Sequence, residues 1–225
     1  MYLRLTLMWL WFAFSASIFS LVLIFRQNNP NNGVFVTHPV GQVILKILNI
    51  QLEIENKKAL ENPQACVYLA NHQSLLDVFT FCAFFPAKTF VVAKRSLKYM
   101  PFFGWAFSLS GNVYIDRKNR NAAVKTLASA EERIRAGWSF FVFPEGTRSK
   151  GKGLGLFKKG AFHVAMNTGA PLRLWICKDY DLRLNSLQPS IVKMKVFDPI
   201  YLNKEEDLET QIANIRSLAQ AYLDA

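Results

Sequence analysis

Two patterns of apolar and polar positions divide the chain. Between residues 5 and 25 no charged side chain occurs, and Arg4 and Arg26 bracket the run. As a helix this stretch rises about 31 Å at roughly 1.5 Å per residue, close to the hydrocarbon thickness of a bilayer. It carries Trp9, Trp11, Phe12, Phe14 and Phe19 and lacks a clear small-x-small cleavage site, so it reads as a retained membrane segment rather than a removed signal. A polar run at 27–33, rich in Asn and containing Pro30 and Gly33, breaks the pattern. A second apolar stretch at 40–50 has Lys46 as its only charge and is too short to span. Its Val40, Val43, Ile44, Ile47 and Leu48 recur at helical spacing, which predicts a helix in the interface or folded back on the first. Basic residues at both ends of the first run leave its orientation open.

From residue 50 the pattern changes to short β-branched and aromatic runs separated by helix-like stretches. Strands are predicted at 50–54, 65–70, 89–93, 112–115, 139–143, 171–177 and 191–197. A helix is predicted over 122–136, with Ala123, Leu127, Ala130 and Ile134 on one face. A last helix is predicted from Asn203, with Glu206 completing a capping box and Leu208, Ile212, Ile215, Ala219 and Tyr222 as its stripe. The alternation predicts an α/β fold over 50–225, a mostly parallel sheet flanked by helices, preceded by an N-terminal membrane-associated helical segment at 1–49. In such a sheet chemistry gathers in loops beyond the carboxyl ends of strands.

Composition narrows the partners. Apolar residues make up 51% of the 225 and charged residues 19%, which excludes a disordered chain. Lys and Arg number 27 against 16 Asp and Glu, and the resulting +11 favours an anionic partner: nucleic acid, an acidic membrane surface or a phosphorylated molecule. Cys66, Cys82 and Cys177 sit in apolar stretches without a C-x-x-C spacing, so they read as buried reduced thiols rather than a disulfide framework or a zinc site.

The strand-end loops carry the candidate chemistry. The run NHQSLLD at 71–77 places His72 just past a strand and Asp77 about one helical turn on. A carboxylate that holds one ring nitrogen leaves the other free to take a proton, the requirement for a general base. Taken alone, the pair reads first as a helix-capping histidine beside a solvated aspartate. No G-x-S-x-G elbow surrounds Ser74, which reads as a helix-start residue. After the strand at 139–143 comes PEGTRSKG, in which Gly146 permits close backbone approach, Thr147 offers a hydroxyl and Arg148 can hold a phosphate through two donors. Lys94, Arg95 and Lys98 follow the strand at 89–93, and Asp116 and Arg117 follow the strand at 112–115. Cations at successive strand ends are consistent with a phosphorylated ligand.

Four blocks, NHQSLLD at 71–77, GNVYIDR at 111–117, FPEGTRS at 143–149 and FKKGAF at 157–162, together resemble the glycerolipid acyltransferase family typified by 1-acyl-sn-glycerol-3-phosphate acyltransferase, also called lysophosphatidic acid acyltransferase. The resemblance implies transfer of a fatty acyl group from acyl-CoA or acyl carrier protein to the sn-2 hydroxyl of lysophosphatidic acid, without a metal or resident cofactor. It also implies an enzyme at the inner, cytoplasmic membrane with its catalytic domain facing the cytoplasm. By the same carry-over His72 is the general base and Asp77 its orienting partner, while Lys94, Arg117, Glu145, Gly146, Thr147 and Arg148 bind the acceptor. One departure stands out: Gly169-Ala170-Pro171 is present, but Arg173 and Leu174 occupy positions where the family has an apolar residue and a second proline.

The chemistry is sufficient without the family, because a thioester is already an activated donor and needs only an aligned, deprotonated alcohol. Two other readings stay open at this point. One is acyl transfer to another lyso-lipid or to glycerol 3-phosphate. The other is a membrane-anchored basic module that binds without catalysis; no helix-turn-helix or RNA-binding aromatic signature supports nucleic acid as a partner. The glycines at 151, 153 and 155 fit no phosphate-loop pattern and read as a flexible loop.

Overall fold

The computed structural model describes every residue except Asn28, Asn62, Pro63, Arg117, Lys150, Gly151 and Asp181. The chain forms two compact units: one of Met1–Leu52, Val78–Ala123 and Tyr180–Val192, the other of Glu53–Asp77, Val124–Asp179 and Lys193–Ala225.

The first unit opens with helix α1, Tyr2–Ile24, which is long and apolar enough to cross a membrane. Its Met8, Ser15, Ala16, Ser20 and Leu23 are buried in one stripe, while Leu3, Leu10, Phe14 and Leu21 face outward. Arg26 and Asn32, near the two ends of the polar run, are bonded to each other. Asn32 donates from Nδ2 to the Arg26 carbonyl at 2.7 Å and accepts from the Arg26 guanidinium at 3.3 Å. Helix α2, Asn32–Leu48, therefore begins eight residues before the apolar stretch that predicts it and runs through Pro39. Burial of Val40, Ile44, Leu45 and Leu48 offsets the backbone bond that the proline removes. Gly41 lets α2 lie directly on the backbone of the following helix: a Cβ there would stand 2.5 Å from the Ala83 nitrogen and 2.7 Å from the Phe79 carbonyl oxygen. That neighbour is α3, Leu76–Cys82, whose residues from Val78 onward belong to this unit. Strands β3, Thr89–Lys94, and β4, Val113–Ile115, run parallel, and helix α4, Phe103–Leu109, packs on α1 through Phe103 and Phe12.

The second unit holds the central strands. β2, Val67–Ala70, is entirely buried and pairs in parallel with β5, Ser139–Val142, on one side and with β6, Leu172–Cys177, on the other. β7, Ser190–Val196, closes antiparallel on β6, and β1, Ile50–Glu55, lies beyond it. β2–β5, β2–β6 and β3–β4 are thus parallel and β6–β7 antiparallel, in keeping with the α/β expectation, and all seven strands fall within a residue or two of their predicted places. Helix α5, Arg120–Arg135, buries Ala130 and Ile134 as its stripe predicts, and α6, Gly160–Thr168, buries Ala161, Phe162, Val164 and Ala165 before Gly169 ends it in a left-handed turn.

The last helix, α7, spans Leu208–Asp224 and starts later than predicted. Asp207 is its cap, accepting from the Thr210 backbone N–H at 2.8 Å and hydroxyl at 2.9 Å. Asn203 and Glu206, expected as a capping box, form a separate turn that Gln211 closes by accepting from the Asn203 N–H at 2.9 Å. An aspartate directly before the apolar stripe satisfies the first-turn donors, so the earlier pair has no helix end to serve.

Candidate active site

The site is built at the carboxyl ends of β2, β5 and β6, all within the second unit. β2 ends at Ala70, and Asn71 continues its pairing by side chain: its Nδ2 donates to the Cys177 carbonyl and its Oδ1 accepts from the Cys177 N–H, both at 2.8 Å. A carboxamide offers one donor and one acceptor as a peptide does, so Asn71 locks the strand end in register while freeing the backbone to turn. Gln73 adds a bond to the Lys178 carbonyl at 2.8 Å. Between these two anchors stands His72.

Four further contacts hold His72. Its Nδ1 lies 2.7 Å from Oδ2 of Asp77, and the same oxygen accepts from the backbone N–H groups of Gln73 at 2.7 Å and Ser74 at 2.8 Å. An oxygen gathering three donors acts as acceptor throughout, so Nδ1 carries the proton and Nε2 keeps its lone pair. Asp77 is fully buried, whereas the His72 side chain retains 17% exposure, enough to meet a substrate. The His72 ring stacks on Phe143, with centroids 4.1 Å apart and planes inclined by 14°. Glu145, itself buried, accepts from the His72 N–H at 2.7 Å through Oε1 and from the Gly155 N–H at 2.8 Å through Oε2. Burial pushes the Glu145 carboxyl above its ordinary value, against the opposing pull of those two backbone donors. Finally, the Ser149 N–H donates to the His72 carbonyl at 2.8 Å.

The turn after β5 follows from Gly146, whose φ of +72° is left-handed and whose missing Cβ leaves room for the Lys158 side chain. Thr147 and Arg148 beyond it are exposed. Ser74 serves as the helix-start residue its position predicts, accepting from the Leu76 N–H at 3.2 Å. His72, Asp77, Glu145, Gly146, Thr147 and Arg148 are therefore brought together in one unit. Lys94 is exposed at the end of β3 in the other unit, and Arg117 lies outside the described residues. Among the neighbouring cations Arg95 pairs with Asp116 at 3.2 Å.

A cavity of about 340 Å³ adjoins the loop that carries His72, lined by Asn71, Gln73, Glu145, Ser149, Lys178 and the end of α7. It touches the residues on either side of His72 rather than the ring. Phe143, Asn71 and Gln73 lie within the blocks at 143–149 and 71–77, but the sequence reading gives them no role. The signal for Asn71 is a polar amide at the end of an all-apolar strand; nothing local points to Phe143. Cys66 and Cys177 are buried and form no disulfide among the described residues, and burial raises the Cys66 thiol above its ordinary value, which suits packing rather than nucleophilic attack. Arg173 is buried in β6 and donates to the Phe197 carbonyl at 3.4 Å.

The chain is similar to known proteins. The family model described as Acyltransferase matches residues 51–173. The 1-acyl-sn-glycerol-3-phosphate acyltransferase of Salmonella typhimurium is 31% identical over 207 residues, covering 89% of this chain and 84% of the relative. The enzyme of the same name from Haemophilus influenzae is 33% identical over 178 residues, covering 78% and 74%. The crystal structure of the 1-acyl-sn-glycerophosphate acyltransferase from Thermotoga maritima superposes with a TM-score of 0.73 at 24% identity, covering 99% of this chain and 97% of that one, and so shares the fold. From the family match and the extent of these relatives, the chain belongs to the acyltransferase family of glycerolipid enzymes typified by 1-acyl-sn-glycerol-3-phosphate acyltransferase.

Proposed function

We propose that the chain moves a fatty acyl group from a thioester donor, acyl-CoA or acyl carrier protein, to the sn-2 hydroxyl of 1-acylglycerol 3-phosphate, giving phosphatidate. The observation that carries this reading is the His72–Asp77 pair, with Nδ1 held at 2.7 Å and Nε2 left as a base. Nε2 takes the hydroxyl proton as the oxygen attacks the thioester carbonyl carbon. Collapse of the tetrahedral intermediate breaks the C–S bond, and the imidazolium returns its proton to the departing thiolate. No covalent enzyme intermediate is needed, and the thioester supplies the activated acyl group without a metal or resident cofactor.

Asp77 orients the ring and stabilises the imidazolium, and Glu145 and Phe143 fix the backbone and ring plane of His72. Gly146, Thr147 and Arg148 form the turn we assign to the acceptor phosphate, with the Arg148 guanidinium as its principal donor; Lys94 and Arg117 are assigned to the same ligand. The apolar α1 and the charge of +11 support association with an anionic membrane, and we assign the catalytic domain to the cytoplasmic face of the inner membrane, where a cytoplasmic thioester donor would reach it. Purified protein given acyl-CoA or acyl carrier protein and a panel of acceptors tests the reading. Phosphatidate from lysophosphatidate is the expected product. Acylation only of non-phosphorylated lyso-lipids, or of glycerol 3-phosphate, would overturn the acceptor assignment.

A further inference from the structure

The turn joining β3 to α4 has no part in the mechanism above, yet it is built with unusual care. A 3-10 turn at Arg95–Tyr99 leads through Met100, Pro101 and Phe102 into α4. Phe102 sits at φ +58°, a left-handed conformation that costs a non-glycine residue strain. Gly104 presses against the Lys98 carbonyl, where a Cβ would come within 2.1 Å of the oxygen. The Tyr114 hydroxyl donates to the Gly104 carbonyl at 2.9 Å, and the Gly104 N–H donates to the Met100 carbonyl at 2.9 Å. The tip is therefore held in one shape.

What this shape presents is aromatic. Phe103 and Phe107 turn inward, onto Phe12 and Tyr114. Tyr99 and Trp105 turn outward with 73% and 64% of their surface exposed, joined by Met100 and by Phe102, whose ring meets Trp105 edge to face at 6.0 Å. Lys98 is exposed beside them, and Lys94 precedes the turn. Rings with a polar tip beside lysines are the chemistry of the lipid headgroup level, where the ring body is apolar and the tip is wet. The same unit supplies α1, which α4 packs against and whose outward face is apolar, so an element that seeks lipid carries the turn with it.

We infer that the Lys98–Trp105 turn is a second membrane contact, separate from α1, that seats Tyr99, Phe102 and Trp105 among the headgroups of an anionic bilayer. The inference rests on the membrane location proposed above. It implies that the acceptor is drawn from the bilayer rather than from solution.

Full-length protein carrying Tyr99→Cys, labelled with an environment-sensitive dye and bound to phosphatidylcholine–phosphatidylglycerol vesicles, tests it. Wild type treated in the same way gives the background from Cys66, Cys82 and Cys177. Lipids brominated near the headgroup should quench the label more strongly than lipids brominated at the chain end. Absence of quenching in vesicle-bound protein overturns the inference. So does a dimer that the Tyr99→Ser, Trp105→Ser double variant dissolves, because the surface would then cover a second copy. This readout needs no turnover, so its failure is distinguishable from failure of the acyl-transfer reading. In turnover, the double variant should lose activity several-fold on vesicle-borne acceptor and keep it on a dispersed short-chain acceptor. Equal loss on both would assign the rings to the substrate pocket and overturn the membrane role.

Discussion

The Phe143 ring lies flat on the His72 imidazole, 4.1 Å between centroids. The two residues are 71 positions apart in sequence numbering and meet because β5 and β2 are parallel neighbours, so the residues that leave their carboxyl ends emerge side by side. A base on a loop would otherwise sample several rotamers. Here the ring plane is set by Phe143, the nitrogen by Asp77 and the backbone by Glu145.

Asp77→Asn separates orientation from charge. The amide oxygen can still accept from the Gln73 and Ser74 N–H groups, so the loop should keep its shape, but a neutral group stabilises an imidazolium poorly. The expected outcome is a fall in kcat of about 10²-fold or more with little change in acceptor KM. Steady-state kinetics on the folded variant checks this; a loss confined to KM would contradict it.

Glu145 holds two loops through one buried carboxylate. In Glu145→Gln the new NH₂ group must face a backbone N–H, so a loss of about 1–3 kcal/mol is expected, read as a lower Tm. The pH dependence has a definite sign. Because burial raises this carboxyl in the folded state, the folded protein retains a proton that the unfolded chain has released over the window above the ordinary glutamate range. Stability contributed by Glu145 therefore falls as pH rises through that window, and the Tm difference between wild type and Glu145→Gln should shrink over it. A difference that grows would reverse the assignment.

Much of this was legible locally. The seven strands follow from β-branched and aromatic runs, and His72 and Asp77 are five residues apart, so the short loop leading into α3 is enough to join them. The stack on Phe143, the Glu145 bridge and the Asn71 clasp to Cys177 were not legible, because each depends on which strands are neighbours, and strand order leaves no local periodicity. The start of α2 at Asn32 was hidden for a different reason: Pro39 and the Asn-rich turn read as breakers, and only tertiary burial of Val40, Ile44 and Leu48 overrides them. The late start of α7 reflects competition between two acceptable caps, Asn203 and Asp207, that sequence spacing cannot rank.

Arg148 is exposed at the turn beyond Gly146, available to a ligand. Arg148→Ala should raise the KM for lysophosphatidate more than that for the thioester and lower acceptor kcat/KM at least about ten-fold, the loss of one charge-assisted bond or more. Arg148→Lys should rescue only in part, since an ammonium keeps the charge and loses the fork. Equal defects with phosphorylated and non-phosphorylated acceptors would show that Arg148 does not read the phosphate.

The central claim is that His72 removes the proton from the acceptor hydroxyl. Its most direct test is the initial rate of acyl transfer to lysophosphatidate by wild type and by His72→Ala at saturating donor, with circular dichroism confirming that both are folded. A positioned base contributes about 10²–10⁴-fold, so the variant should lose at least that order in kcat. A folded His72→Ala protein that acylates lysophosphatidate at near the wild-type rate would contradict the account.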